Sequence, residues 1–271
     1  MFEFTHPQIM GILNVTPDSF SDGGQYTDVT AAIRQAESMI DDGADIIDIG
    51  GESTRPGAER VPADEQIRRI IPVVIALRAN NPSIIISIDT TLSSVAAAAL
   101  QAGANLINDV SAGVDDPAIL PLAATNDVPI ILMHMQGHPT TMQDNPYYDD
   151  VVAEVKTALQ QRIAAALAAG IKSQRIAIDP GIGFGKRKQD NIDLLAHLQQ
   201  FTDMGYPVLL GTSRKRFMGS ICHVTEPAEL VTATAVTTAL GVMAGVSMFR
   251  VHDVKPNRQA ADVAWAIKQA R

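Results

Sequence analysis

The 271-residue chain has a single cysteine, Cys222, so it can close no disulfide within itself and nothing in it calls for an oxidising compartment. A lone thiol of this kind is expected to be buried. No apolar run approaches the roughly 18 residues of a membrane span, and residues 1–7 lack the basic stretch and apolar core of an export signal, so a cytoplasmic protein is expected. Positive charge is also scarce: 21 Lys and Arg against 30 Asp and Glu leave a net charge of -9, which repels a phosphodiester polymer, and no local basic run offsets it. Nucleic acid is therefore not an expected partner. Aromatic residues make up only 4% of the chain, which leaves the core to small aliphatic side chains of the sort that pack between helices and a parallel sheet. The chain has no Pro/Ser-rich linker, low-complexity tract or short-period repeat, and a single domain is expected.

What the chain does have is alternation. Short runs rich in Ile, Val and Leu fall at 9–15, 45–49, 84–88, 106–110, 129–133, 175–179, 208–211 and 247–251. Helical periodicity separates them at 29–42, 63–79, 92–101, 117–124, 149–169, 191–201 and 228–243, with 256–269 closing the chain. Gly43, Gly103, Gly170 and Gly205 stand where helices should stop. Eight strands joined by right-handed crossovers predict an α/β fold of the (β/α)8 TIM-barrel type, with an open doubly wound sheet as the alternative. The longest polar interruptions, 16–28, 52–62 and 136–148, would all rise from one face of such a barrel.

That face carries the chemistry of a barrel, so the residue that ends each apolar run is informative. Here the ends are Asn14, then Asp48 leading to Glu52, Thr54 and Arg55, then Asp89, Asn108 with Asp109, His134, Asp179, Ser213 with Lys215, and finally Arg250, His252 and Asp253. Eight converging polar clusters exceed what strand capping requires and point to a small, polar, charged ligand. Asp48 and Asp109, each beside another candidate, are read as ties between loops, and His134 suits a rim histidine as well as it suits a ligand contact. Asp89 and Asp179 end strands on nearly opposite sides of the barrel, so shared contact with a ligand is favoured over mutual pairing. The segment G-I-G-F-G-K from Gly181 looks like a phosphate loop but fails both common fingerprints: Pro180 and Arg187 break one, Lys186 the other. Its glycines are read as loop geometry that turns Phe184 into the pocket. Asn14, by its position alone, suits a strand-end cap and a metal ligand equally.

Eight motifs in order resemble those of the dihydropteroate synthases of the pterin-binding family. They are GILNVTPDSFSDGG from Gly11, GGESTRPG from Gly50, SIDT from Ser87, INDVSAG from Ile107, LMHMQG from Leu132, DPGIGFGK from Asp179, GTSRKRF from Gly211 and RVHDV from Arg250. The resemblance implies a (β/α)8 barrel, usually homodimeric, that makes 7,8-dihydropteroate and diphosphate in folate biosynthesis. It implies that Asp89, Asn108, Asp179 and Lys215 hold the pterin, with Val110, Met133 and Phe184 as the apolar surface. It places Asn14, Arg250 and His252 at the diphosphate, with Asn14 a ligand of Mg²⁺. It also makes Phe20, Thr54, Arg55, Pro56 and Ser213 the 4-aminobenzoate site. Loop residues Asp18, Ser19, Ser21 and Asp22 belong to the mobile substrate loops of that family. Arg216 departs from family members with serine after the lysine, and electrostatic contact with the benzoate carboxylate is expected of it. Sulfonamide inhibitors are expected binders by the same resemblance.

The implied chemistry is cleavage ahead of attack: Mg²⁺, Arg250 and His252 stabilise the departing diphosphate, Asp22 with Asp89 and Asp179 favours the positive pterin methylene, and the neutral arylamine then adds. Arg55 and Lys215 complete the expected catalytic set. Two other readings are a corrinoid-linked methyltransferase on a related barrel and a non-catalytic pterin binder. Neither needs the 54–56 loop or the Arg250/His252 anion pair, and their presence here argues against both.

Overall fold

The computed structural model describes residues 2, 4–16, 24–52, 60–138 and 141–271. Among these, strands and helices alternate as β1 (Gln8–Asn14), α1 (Gly24–Asp41), β2 (Ile46–Gly50), α2 (Ala63–Asn80), β3 (Ile85–Asp89), α3 (Ser93–Ala102), β4 (Leu106–Asp109), α4 (Ile119–Thr125), β5 (Ile130–Met133) and α5 (Val151–Ala168). They continue as β6 (Ile176–Asp179), α6 (Lys188–Ala196), α7 (Gln199–Thr202), β7 (Leu209–Leu210), α8 (Arg216–Cys222), α9 (Val231–Met243), β8 (Met248–Val251) and α10 (Val254–Gln269). The strands form one parallel sheet in the order β6-β5-β4-β3-β2-β1-β8-β7. A parallel bridge between Ile178 and Val208, with Ile178 N–H donating to Pro207 O at 2.9 Å, joins its two ends and closes the barrel. The open-sheet alternative is thereby excluded.

Side chains of a strand alternate between its faces, so each β-strand feeds two cores. Ile9, Leu13, Ile47, Ile49, Ile86 and Ile88 point outwards and pack with Val73, Val74 and Leu77 of α2 and their counterparts on the other helices. Met10, Ile46, Leu106, Ile131, Ala177, Leu209 and Met248 point inwards and, joined by Phe2, fill the barrel interior towards its N-terminal end. Two residues further along six of these strands stand Asp48, Asn108, Met133, Asp179, Gly211 and Arg250. The inner face thus turns from apolar to polar within one pleat repeat.

Several local expectations need correction. The stretch read as one helix over 191–201 is two, because the chain turns at His197 and Leu198 between α6 and α7. The seventh run keeps only Leu209 and Leu210 as strand, and α8 was not foreseen. Cys222 is exposed rather than buried: α8 is two turns long and spends Phe217, Met218 and Gly219 on the barrel, which leaves its last residue outside. At α3 the expected stop holds, with Gly103 at a φ of 116° in the left-handed region a side chain disfavours. Among the described residues no helix is long and apolar enough to cross a membrane.

Candidate active site

The polar layer converges on Arg250. From β8 its Nε donates to Asp48 Oδ2 of β2 at 2.6 Å and its Nη2 to Asp89 Oδ2 of β3 at 2.6 Å. Asn108 of β4 donates from Nδ2 to the same Asp48 oxygen at 3.1 Å. These carboxylates and the amide are buried. Asp48 Oδ1, Asp89 Oδ1 and Ser87 Oγ are buried there without a hydrogen-bond partner, an arrangement that calls for donors from a ligand or water. Burial raises the pKa of Asp89 to about 7, with Arg250 opposing the rise and Asp48 adding to it. Burial works against the Arg250 charge, but Asp48 and Asp89 outweigh it and hold the guanidinium protonated beyond its usual range.

Across the barrel, Asp179 at the end of β6 accepts from Gly181 N–H at 2.7 Å through Oδ1. Burial pushes its pKa up while Lys215 pulls it down. Lys215 caps α8, donates to Ile182 O, and sets Nζ 4.5 Å from the centre of the Phe184 ring, within cation–π range. Burial lowers its pKa to about 8, with Asp179 opposing. Met133 lies in register with Asp179 and is buried at the end of β5, and Val110 is buried just beyond the end of β4. The rim therefore presents carboxylates, an amide, an ammonium and apolar surface, enough to read a planar heterocycle by donors on one edge and acceptors on another.

The remaining rim residues lie on β1, β8 and the loop after β7. Asn14 ends β1 in register with Gly50, where an added methyl group would stand 3.7 Å from Asn14 Oδ1 and 3.5 Å from Asp89 Cβ. Its amide is thus next to the Asp89 side of the mouth. Among the described residues no group of three or more His, Cys, Asp or Glu side chains could hold a metal ion. One neutral amide oxygen fits a divalent cation whose other ligands are phosphate oxygens and water. Ser213 Oγ accepts from the His252 backbone N–H at 3.1 Å and lies 3.0 Å from His252 Nδ1, so it holds the histidine. Arg214 forks onto Asp253 at 2.7 and 3.0 Å and ties the β7 loop to the β8 loop. Arg216 is exposed at the start of α8.

Of the residues singled out from sequence, Asp89, Asn108, Arg250, Asp179, Lys215, Phe184, Met133 and Val110 gather at the mouth, with Asn14, His252 and Ser213 on its β1/β8 flank. Phe20, Asp22, Thr54, Arg55 and Pro56, with Asp18, Ser19 and Ser21, lie outside the described residues. Asp109 is a loop tie, as read: it accepts from Ser111 N–H and Oγ at 2.8 Å each and from Gly113 N–H at 2.6 Å. Asp48 is more than a tie, since it grips both Arg250 and Asn108. Its signal lay in the pleat: it shares the inward parity of Ile46 and Gly50. Lys186 was also passed over and is buried behind the site.

The model of the pterin binding enzyme family matches residues 10–252. A dihydropteroate synthase of Synechocystis is 46% identical over 96% of the chain and 89% of its own length. Three solved structures share the fold. The dihydropteroate synthase of Clostridium difficile, determined in the presence of pteroic acid, superposes with a TM-score of 0.92 at 43% identity, covering 98% of this chain and 99% of that one. That of Xanthomonas albilineans with 4-aminobenzoic acid gives 0.91 at 47%, covering 98% and 94%. That of Yersinia pestis, complexed with a sulfonamide drug, gives 0.91 at 42%, covering 98% and 95%.

Proposed function

The chain belongs to the pterin-binding enzyme family, and from that premise we propose that it joins (7,8-dihydropterin-6-yl)methyl diphosphate to 4-aminobenzoate, yielding 7,8-dihydropteroate and diphosphate for folate biosynthesis. The observation that carries this reading is the set of buried acceptors without partners, Asp48 Oδ1, Asp89 Oδ1 and Ser87 Oγ, beside Asn108 and opposite Asp179 and Lys215. The aminopyrimidinone edge of a dihydropterin carries adjacent N–H donors that Asp179 accepts, Asn108 both donates and accepts, Asp89 takes a further ring N–H, and Lys215 donates to the ring acceptors. Phe184, Met133 and Val110 cover the ring faces.

The diphosphate leaves towards Asn14, Arg250 and His252. Arg250 presents the Nη1 side of a guanidinium whose Nε and Nη2 are already committed to Asp48 and Asp89, so the cation is fixed before the substrate arrives and spends nothing on reorganisation. His252, oriented through Ser213, adds a ring N–H. The bond between the methylene carbon and the bridging phosphate oxygen breaks first, its electron pair leaving with the diphosphate. Electron donation from the pterin ring spreads the positive charge, which Asp89, Asp179 and Asp22 favour. The lone pair of the neutral arylamine then forms the C–N bond, and the amine proton goes to solvent or diphosphate. Asn14 would hold Mg²⁺, which supplies charge neutralisation at the leaving group when bound. The 4-aminobenzoate site comprises Phe20, Thr54, Arg55, Pro56, Ser213 and Arg216, and sulfonamides compete there. A cytoplasmic homodimer is part of the same proposal, with α9 as its interface, where Val236 and Leu240 are exposed.

A two-substrate assay tests the whole: diphosphate release should require both the dihydropterin diphosphate and 4-aminobenzoate for sustained turnover, and yield dihydropteroate in equal amount. A protein that binds the pterin and releases no diphosphate would be a binding protein, and the reading fails.

A further inference from the structure

The loop that follows β6 has no partner strand or helix, yet side chains claim all its carbonyls from 181 to 186. Lys186 Nζ donates to Gly181 O at 2.8 Å and Phe184 O at 3.0 Å, Lys215 Nζ to Ile182 O, Gln143 Nε2 to Gly183 O at 2.9 Å, Tyr148 Oη to Gly185 O at 2.9 Å, and Asn191 Nδ2 to Lys186 O at 3.4 Å. Lys186 is the centre of this arrangement. It is only 3% exposed, it forms no ion pair among the described residues, and its third donor meets His134 Nδ1 at 3.0 Å. With His134 O a longer fourth contact at 3.4 Å, these acceptors engage every N–H of the amine. A neutral His134 is required to accept, and burial together with the Lys186 charge drops its pKa to about 3, while burial brings that of Lys186 down to about 7 against the pull of Asp179. The loop has no slack: at Gly181 (φ 67°) and Gly185 (φ 63°) a methyl group would overlap the carbonyls of His134 and Gln136.

We infer that Lys186 is a positioning residue for the heterocycle pocket: by drawing the carbonyls of Gly181 and Phe184 together against His134, it sets Asp179, Phe184 and Lys215 at once. The links are direct. Gly181, whose carbonyl Lys186 holds, gives its N–H to Asp179 Oδ1 and so leaves Oδ2 for a ligand. Phe184, held by its own carbonyl, stacks under Lys215, and Lys215 is anchored on Ile182 between them. A lysine at the end of a glycine-rich loop suggests phosphate binding, but this one turns inwards and spends its donors on the loop. Without the cation, the Gly181 and Phe184 carbonyls lose buried donors, and the loop reopens to satisfy them. The inference rests on the pterin reading of this pocket.

The test is the dissociation constant of a dihydropterin measured by fluorescence for the wild type, Lys186→Met and Lys186→Gln, with KM for 4-aminobenzoate and kcat at saturating pterin. Lys186→Met is expected to weaken pterin binding at least tenfold, with the 4-aminobenzoate KM within twofold of wild type and kcat lowered by less than the affinity, since Asp179 and Lys215 also serve the chemical step. Lys186→Gln, which keeps two donors, should fall between. Unchanged pterin affinity, or an equal decline of all three parameters, overturns the inference. If Lys186→Met does not fold, His134→Leu carries the test against His134→Asn, whose Oδ1 can replace the lost acceptor: the first should weaken binding several-fold and the second should not, and equal affinities overturn the inference. A wild type that binds no dihydropterin would sink the functional reading instead.

Discussion

Two layers of one barrel, a single pleat repeat apart, are built to opposite rules. The lower is Met10, Ile46, Leu106, Ile131, Ala177, Leu209 and Met248, all essentially inaccessible and all apolar. The upper contains Asp48, Asn108, Asp179 and Arg250, polar or charged and largely buried with the Arg250 side chain 18% exposed, and Asp48 Oδ1 and Asp89 Oδ1 are left without a donor. Burying apolar surface stabilises the fold at roughly 25 cal/mol per Å² and needs no ligand. Burying unpaired carboxylate oxygens costs free energy, which a ligand with matching donors can offset. The contrast separates the part of the interior that supports the fold from the part held ready for a substrate.

Arg250→Met breaks the upper layer and should have the largest effect. It leaves Asp48 and Asp89 facing each other without their cation, so stability falls by about 3–5 kcal/mol near pH 8, readable in a urea melt. In addition, kcat/KM falls by about 10²–10³-fold because the leaving diphosphate loses a fixed positive charge. Ile131→Ala breaks the lower layer instead. It removes a fully buried side chain and should cost about 2–5 kcal/mol of stability. The surviving folded protein should keep kcat/KM within about twofold, since Ile131 packs in the inner apolar cluster and carries no group that meets the substrate. Matching stability losses with a rate loss in only one variant would uphold the division; a rate loss of similar size in Ile131→Ala would erase it.

The upper layer was legible in the sequence to the extent that the pleat is. Asp89, Asn108, Asp179 and Arg250 each end an apolar run, and a closed barrel brings all strand ends to one rim whatever their separation along the chain. What the sequence could not supply is who faces whom. Asp48 and Arg250 are 202 residues apart, and only the closed sheet shows that Asp48 holds the arginine rather than a loop. Lys186 was obscured for a related reason: the fingerprint test rejected phosphate binding, but the destination of its amine depends on a loop whose carbonyls turn inwards. His134 was open between rim and ligand, and the lysine beside it places it at the rim. Local interruptions, such as the turn at His197 between α6 and α7, leave the apolar pattern intact and so escape a periodicity argument.

Asp89 sharpens the comparison within a single residue, since its proton should act on stability and binding in opposite directions. Its folded pKa is raised to about 7 by burial, against an unfolded value near 3.8. A raised folded value means that its contribution to stability is fully present below about pH 4 and is lost as pH rises through about 7. Pterin binding needs the reverse, because Arg250 occupies Oδ2 and a proton on the open Oδ1 puts a donor where a ring N–H needs an acceptor. With about a tenth of Asp89 ionised at pH 6 and about nine tenths at pH 8, the apparent dissociation constant of a dihydropterin should improve by about tenfold over that interval. Asp89→Asn should bind weakly with little dependence on pH, while gaining relative stability at the alkaline end. Fluorescence titrations paired with urea melts from pH 6 to 8 measure both. Affinity that stays flat in the wild type, or that varies identically in Asp89→Asn, would show that the proton resides elsewhere, with Lys186 and Lys215 the next groups to examine because burial brings their pKa values down to about 7 and about 8.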